Sequence, residues 1–75
     1  GGLVMHYITA QQGKRPVILA GPYDSEDKAW DDIAKAYEHA RTFYDGRDLT
    51  LYGVELLLGF KTPGRLNLRG FQVAG

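Results

Sequence analysis

The chain is 75 residues long, contains no cysteine, and balances nine basic against nine acidic side chains, for a formal net charge of zero. This length predicts one small domain, residues 1–75, that buries about 60 to 65% of the surface its unfolded chain would expose. The absence of cysteine excludes disulfides and thiolate chemistry, and the longest apolar run, residues 54–60, is far shorter than the roughly 20 residues of a membrane span.

The amino terminus lacks the basic and apolar regions that are typical of a signal peptide. With no cysteine and no membrane segment in the sequence, we expect a cytoplasmic location. Residues 1–4 (Gly1 to Val4) precede Met5, and we interpret them as a cloning remnant in front of the native start.

Two apolar runs, LVMHYITA and RPVILAG, open the chain. Both are rich in β-branched and aromatic residues, which is typical of strands. Residues 11–14 between them are polar and include Gly13, as expected for a hairpin turn. The two runs are therefore predicted to be antiparallel neighbours.

Residues 24–44 show the periodicity of an amphipathic helix, because their apolar side chains fall on one half of a helical wheel. Asp24 or Ser25 is expected to cap the start of this helix, and Gly46 is expected to end it in a left-handed conformation. The apolar half, which we predict to be buried against a sheet with Trp30 at its centre, consists of Ala29, Trp30, Ile33, Ala34, Ala36, Tyr37, Ala40, Phe43 and Tyr44. The other half, predicted to face solvent, consists of Lys28, Asp31, Asp32, Lys35, Glu38, His39 and Thr42.

Two further strand-like runs follow the helix, DLTLYGVELLLGF and LNLRGFQVAG, separated by a predicted turn at residues 61–65. The sequence thus predicts an α+β fold in the order ββαββ, with a single amphipathic helix packed on a small, mainly antiparallel four-stranded sheet. One helix covers one face of such a sheet. Since Leu56, Leu57 and Leu58 are consecutive, they alternate between the two faces, and we expect a homodimer through the open sheet face.

The segment VILAGPYDSE, residues 17–26, followed by Ala29, resembles the strand, Gly-Pro-aromatic turn and helix start of SPOR peptidoglycan-binding domains. The resemblance covers about a dozen residues. It implies an alternation of strands and helices through two half-repeats, whereas this chain opens with a hairpin and has one helical segment. We interpret the segment as a turn that ends a strand and caps a helix, which is the other source of the same residue pattern.

Residues for catalysis or metal binding are few in this sequence. His6 and His39 are the two histidines, too few for a typical metal site without further ligands, and Ser25 is assigned to the helix cap. Asp31 and Asp32 diverge by about 100° on the helix and cannot share a proton from one face. We predict no catalytic, cofactor or metal site, and an enzyme is the third hypothesis.

The zero net charge hides a polarised distribution. Residues 24–38 carry six acidic side chains against two lysines, giving −4, and the rest of the chain carries +4. Basic turns beside strand aromatics are suited to an acidic partner or a phosphate backbone. The predicted partner-binding residues are Lys14, Arg15, Tyr52, Lys61, Arg65, Arg69 and Phe71.

These features together favour a small non-enzymatic protein-binding factor, accessory or regulatory, of the kind that bacteria and phages encode in short genes. The alternative is a single-stranded nucleic-acid-binding sheet in which Tyr7, Tyr52, Phe60 and Phe71 stack on bases beside basic turns.

Overall fold

A computed structural model describes residues 4–58 and 62–74 of the chain. The elements are β1 (Val4–Gln12), β2 (Arg15–Tyr23), α1 (Glu26–Ala40), β3 (Leu49–Leu58) and a one-turn 3₁₀ helix (Asn67–Arg69). β1 lies at the centre of the sheet, in the order β2-β1-β3, and pairs antiparallel with both neighbours. The α+β class is confirmed, and so is the opening hairpin.

The predicted four-stranded sheet is wrong, because the residues that the structure describes form three strands in the order ββαβ. Only the start of the segment expected to be the fourth strand, Leu66, lies along the outer edge of β2, together with residues 64 and 65 of the predicted turn, and no ladder forms. Gly64, Arg65 and Leu66 donate backbone N–H bonds to the carbonyls of Gly21, Ile18 and Leu19, and the chain then turns into the 3₁₀ helix. Gly70, with a φ of 87°, ends that turn in a left-handed conformation.

α1 begins as predicted, since the Ser25 hydroxyl accepts a 3.2 Å hydrogen bond from the Lys28 N–H. Its predicted end is wrong. The helix stops at Ala40, with Arg41 as the helical C-cap residue, and Gly46 is not among the glycines with positive φ. Single turns that reach back to Ala40 follow, with the N–H groups of Phe43 and Tyr44 as donors.

α1 packs against all three strands through its alanines. The core of the described part consists of Ile8, Ala10, Val17, Leu19, Ala20, Tyr23, Ala29, Ala36, Ala40, Leu49, Leu66 and Phe71. The predicted burial of Trp30, Tyr37 and Phe43 is wrong, because 50%, 41% and 40% of their surfaces are exposed. Ala34 is exposed as well. Ala29, Ala36 and Ala40 are small and allow a close approach to the sheet, so the larger aromatics on either side of this stripe remain at the rim.

The predicted solvent face of α1 is also partly wrong. Asp32 is only 3% exposed, because residues 70–74 return across this side of the helix. One carboxylate oxygen of Asp32 accepts hydrogen bonds from the Tyr23 hydroxyl and from the Ala74 N–H, both 2.8 Å long. His39 lies on the same side, where its Nε2–H donates to the Arg69 carbonyl at 2.9 Å.

Candidate functional site

Among the residues that the structure describes, the outer edge of β3 is the edge of the sheet that has no cover. The opposite edge, on β2, is bonded by the backbone of residues 64–66. Within residues 4–58 and 62–74, no backbone group pairs with the outer side of β3. An unpaired edge strand presents a row of N–H and C=O groups that a further strand can bind.

A bulge marks the start of this edge. Thr9 pairs with Gly53 whereas Gln11 pairs with Thr50, so β3 contains one extra residue there, and Leu51 has a positive φ of 53°. Beyond the bulge, regular alternation places Tyr52, Val54, Leu56 and Leu58 on the face that α1 covers. The bulge therefore leaves Tyr52 to Leu58 as the regular part of the free edge.

The covering of this face by α1 is incomplete. Tyr52 and Val54 pack against the core, but Leu56 is 57% and Leu58 is 74% exposed. His6 pairs with both Leu56 and Tyr23, and α1 begins three residues after Tyr23, so the two exposed leucines lie at the end of the sheet where the helix starts.

The flank of α1 that faces β3 carries the exposed aromatics. The rings of Tyr37 and Tyr52 meet edge to face, with 5.3 Å between centroids, and the Arg41 guanidinium lies 5.8 Å from the centre of the Tyr37 ring. Trp30 precedes Tyr37 by seven residues and lies on the same side of the helix, two turns nearer its start. Burial, with a smaller contribution from Tyr37 and Tyr44, raises the pKa of the Tyr52 hydroxyl above its ordinary value.

These residues form one continuous candidate site, the β3 surface, which consists of the outer edge of β3 and the side chains of Trp30, Tyr37, Leu56 and Leu58. Its exposed groups are large, apolar and aromatic. Apolar surface gathered at an unpaired strand edge is typical of a protein–protein contact.

The opposite face of the sheet is covered near its centre. Tyr7 is fully buried there, and its hydroxyl donates a 3.1 Å hydrogen bond to the Thr62 carbonyl. Gly21 approaches this ring so closely that a Cβ in its place would overlap the Tyr7 side chain. Burial raises the pKa of the Tyr7 hydroxyl. Leu57, on this face, is half-buried opposite Met5.

The aromatics proposed to stack on nucleic-acid bases do not share an open face among the described residues. Tyr7 is buried on one face, while on the other Phe71 belongs to the core and the partly buried Tyr52 packs against it. The Phe71 ring packs against His39 with centroids 5.5 Å apart. Phe60 lies outside the described residues.

The predicted basic residues divide into separate groups. Lys14 and Arg15 are exposed at the β1–β2 turn, and Lys61 lies outside the described residues. Arg65 and Arg69 lie together in a shallow depression whose other lining residues are Tyr44 and Leu68. Arg65 Nη1 is 3.5 Å from the Tyr44 hydroxyl, and the Arg69 guanidinium lies 4.9 Å from the centre of the Phe43 ring.

The described side chains that could bind a metal or act as an acid or base lie apart from one another. No three His, Asp or Glu side chains within residues 4–58 and 62–74 lie close enough to hold a metal ion. The Asp32 carboxylate accepts a hydrogen bond from the Tyr23 hydroxyl. The pKa of this hydroxyl is raised by burial and further by that hydrogen bond. No helix in the described ranges is long and apolar enough to span a bilayer.

The binding roles predicted for Tyr52, Arg65 and the leucines of β3 stay predictions, whereas Trp30 and Tyr37, which the sequence predicted to be buried, are surface residues. A signal was present in the helix: Ala29, Ala36 and Ala40 form a stripe of small residues at spacings of seven and four, narrower than the whole apolar half. No protein-family model, curated protein or solved structure matches this chain.

Proposed function

We propose that this protein is a small non-enzymatic binding factor that contacts another protein chain through its β3 surface. The observation that carries the proposal is the exposure of two aromatic side chains, Trp30 and Tyr37, on the flank of α1 that faces β3, beside the buried alanine stripe of the same helix. Tryptophan and tyrosine are enriched at the centres of protein interfaces, where they exclude water from a large area. The proposal places the protein in the cytoplasm, where its lack of cysteine carries no penalty.

Exposed backbone adds the second element of recognition. A partner strand added to β3 would gain main-chain hydrogen bonds along residues 52–58, while Leu56 and Leu58 would supply apolar contact beside them. Charged side chains protect an exposed strand edge against pairing with another strand. Glu55 is the one charged residue in the regular part of β3, so this edge is weakly protected.

Matched leucine variants test this proposal. Leu56→Lys places a charge in the β3 surface, whereas Leu68→Lys does the same at a leucine that is 77% exposed beside the 3₁₀ helix. In capture from a lysate of the source cells, the wild-type and Leu68→Lys proteins are expected to retain the same bound chain and Leu56→Lys to lose it. Equal capture by all three folded proteins would contradict the proposal.

The second candidate is binding of an acidic partner or of single-stranded nucleic acid at the depression between Arg65 and Arg69. The observation that favours it is that Arg65 and Arg69 line the same depression, where the Arg65 guanidinium reaches the Tyr44 hydroxyl and the Arg69 guanidinium lies over the Phe43 ring. Phosphate binding weakens steeply as salt rises, because counterions are released, whereas an apolar interface responds little.

A double variant, Arg65→Glu with Arg69→Glu, tests this candidate. It should abolish oligonucleotide binding that is strong at low salt, while Arg47→Glu, at an exposed arginine outside the depression, should change it little. Absence of wild-type binding at low salt removes the candidate.

A further inference from the structure

We propose that the chain bound at the β3 surface is a second copy of this protein, paired antiparallel along β3 about a two-fold axis at Val54. The two sheets would then form one six-stranded sheet, with the two copies of α1 on the same face. This inference rests on the proposed function, since it names the occupant of the same surface. Two-fold dimers are the commonest protein assemblies, and their interfaces must be complementary to themselves.

The register follows from the strand sequence. Residues that face each other across antiparallel strands lie on the same face of the sheet. Because even-numbered and odd-numbered residues of β3 lie on opposite faces, an even-numbered residue must face an even-numbered one. The two-fold axis therefore passes through a residue rather than between two residues. An axis at Glu55 would oppose two carboxylates, which is unfavourable. An axis at Val54 instead places Glu55 opposite Gly53 of the second copy and Tyr52 opposite its Leu56.

The facing flank of α1 is complementary to itself in the same arrangement. Glu26, Trp30, Tyr37 and Arg41 lie within a sector of about 60° on the helix, in the order acidic, aromatic, aromatic, basic. When two such helices run antiparallel about a centre between residues 33 and 34, Glu26 faces Arg41 of the second copy and Trp30 faces its Tyr37. This one pairing sets both charges opposite an unlike charge and both aromatics opposite an aromatic, and Arg41 Nη1 also lies 3.6 Å from Glu38 Oε1 of its own chain.

The helix and strand registers agree with each other. Tyr37 contacts Tyr52, and the centre of the helix stripe lies half of the Trp30 to Tyr37 distance, roughly 5 Å, nearer the start of α1. At about 3.4 Å per residue along the antiparallel strand, this corresponds to one or two residues beyond Tyr52. The helix therefore places the axis at Gly53 or Val54, in agreement with the axis at Val54 that the strand sequence favours.

Spacing between the helices suits the side chains on this flank. α1 packs over all three strands, so its axis lies near the centre of the sheet, about one and a half strand spacings from the dimer axis. At about 4.8 Å per strand, the two helices would be about 14 Å apart. Helices in direct contact are 8–10 Å apart, and Trp30 and Tyr37 are large enough to fill the remaining gap.

A charge exchange tests the arrangement. Glu26→Arg and Arg41→Glu are made separately, and association is measured by sedimentation equilibrium at low salt. Each variant alone would oppose like charges at both ends of the helix pair and is expected to dimerise about tenfold more weakly than the wild type. An equimolar mixture is expected to recover wild-type affinity, because both contacts are then between opposite charges.

Asp31→Arg is the matched control, since Asp31 is exposed about 100° away from Trp30 on the helix, and it should leave association unchanged. A wild-type dimer that is indifferent to the exchange, or a mixture no stronger than its components, would overturn the antiparallel pairing. A wild-type monomer at millimolar concentration would overturn the dimer altogether. If that monomer still captures another chain in a Leu56-dependent way, the proposed function stands without this inference; if it does not, both fail.

Discussion

The two edges of this sheet differ in whether other residues of the chain cover them. The β2 edge receives backbone hydrogen bonds from residues 64–66, and the flank of α1 above it is covered by Phe71 and the residues that follow. The β3 edge receives neither from any residue that the structure describes, and the flank of α1 above it exposes Trp30 and Tyr37. One strand edge is thus covered by residues 64–66, and the other is apolar and open within the described part of the chain, which suits it to a partner.

The covered side is held by three kinds of contact. Leu66 and Phe71 contribute apolar burial, Gly64 permits the close approach of two backbones, and Asp32 binds the end of the segment through the Ala74 N–H. Asn67 adds a reciprocal pair of hydrogen bonds with the backbone of Gly21, of 3.2 and 2.6 Å. Substitutions at these positions should therefore destabilise the fold, whereas those on the β3 surface should act on association.

Leu66→Ala should have the largest effect. Leu66 is 1% exposed, and its loss leaves a cavity between the segment and the core, at an expected cost of about 3 kcal/mol. Leu68→Ala, two residues away but 77% exposed, should change the free energy of unfolding by less than about 0.5 kcal/mol. Urea denaturation measures both, and equal effects would show that the segment is not docked as described.

Gly64→Ala should have the next largest effect, lowering the free energy of unfolding by about 2 kcal/mol. A Cβ on Gly64 would overlap the backbone of Leu19 and Ala20, which cannot yield as a flexible side chain can. Gly46→Ala is the control, because a Cβ there meets nothing within 4 Å. The same denaturation experiment compares them, and a Gly64→Ala protein as stable as Gly46→Ala would contradict the close edge contact.

Asp32→Ala should cost about 1 to 2 kcal/mol. The Tyr23 hydroxyl and the Ala74 N–H would each lose their acceptor, although removal of a buried carboxylate offsets part of this loss. Asp31→Ala, at the exposed neighbour, should be within about 0.5 kcal/mol of the wild type. If Asp32→Ala is equally mild in denaturant, the carboxyl-terminal segment is held by its apolar contacts alone.

Local signals in the sequence predicted the hairpin and the helix start, because Gly13 and Ser25 act within a few residues of themselves. The fate of residues 62–74 could not be predicted in this way. LNLRGFQV has strand-like composition, and its docking depends on partners far away in sequence, such as Asp32, which lies 42 residues before Ala74. For the site, the helical wheel was wrong about which residues are buried, since Trp30 and Tyr37 are exposed and Asp32 is buried. The part of the apolar half that meets the sheet depends on the approach of the alanine stripe.

Trp30→Ala should have the smallest effect on the isolated chain, less than about 1 kcal/mol, because half of the side chain is already exposed. The measurement is urea denaturation at a concentration where the protein is monomeric. A loss of 3 kcal/mol or more would show that Trp30 is a core residue, and the contrast between the two edges would lose its main support.

The central claim, that the β3 surface is occupied in the working protein, is tested most directly by the fluorescence of Trp30, the single tryptophan of the chain. Emission spectra and acrylamide quenching are recorded from nanomolar to high micromolar protein. Burial between two copies predicts that the emission shifts to shorter wavelength and quenching decreases as concentration rises, and that Leu56→Lys abolishes both changes while Leu68→Lys preserves them. Emission that stays at the half-exposed value throughout this range, with the wild type and Leu56→Lys indistinguishable, would contradict the claim.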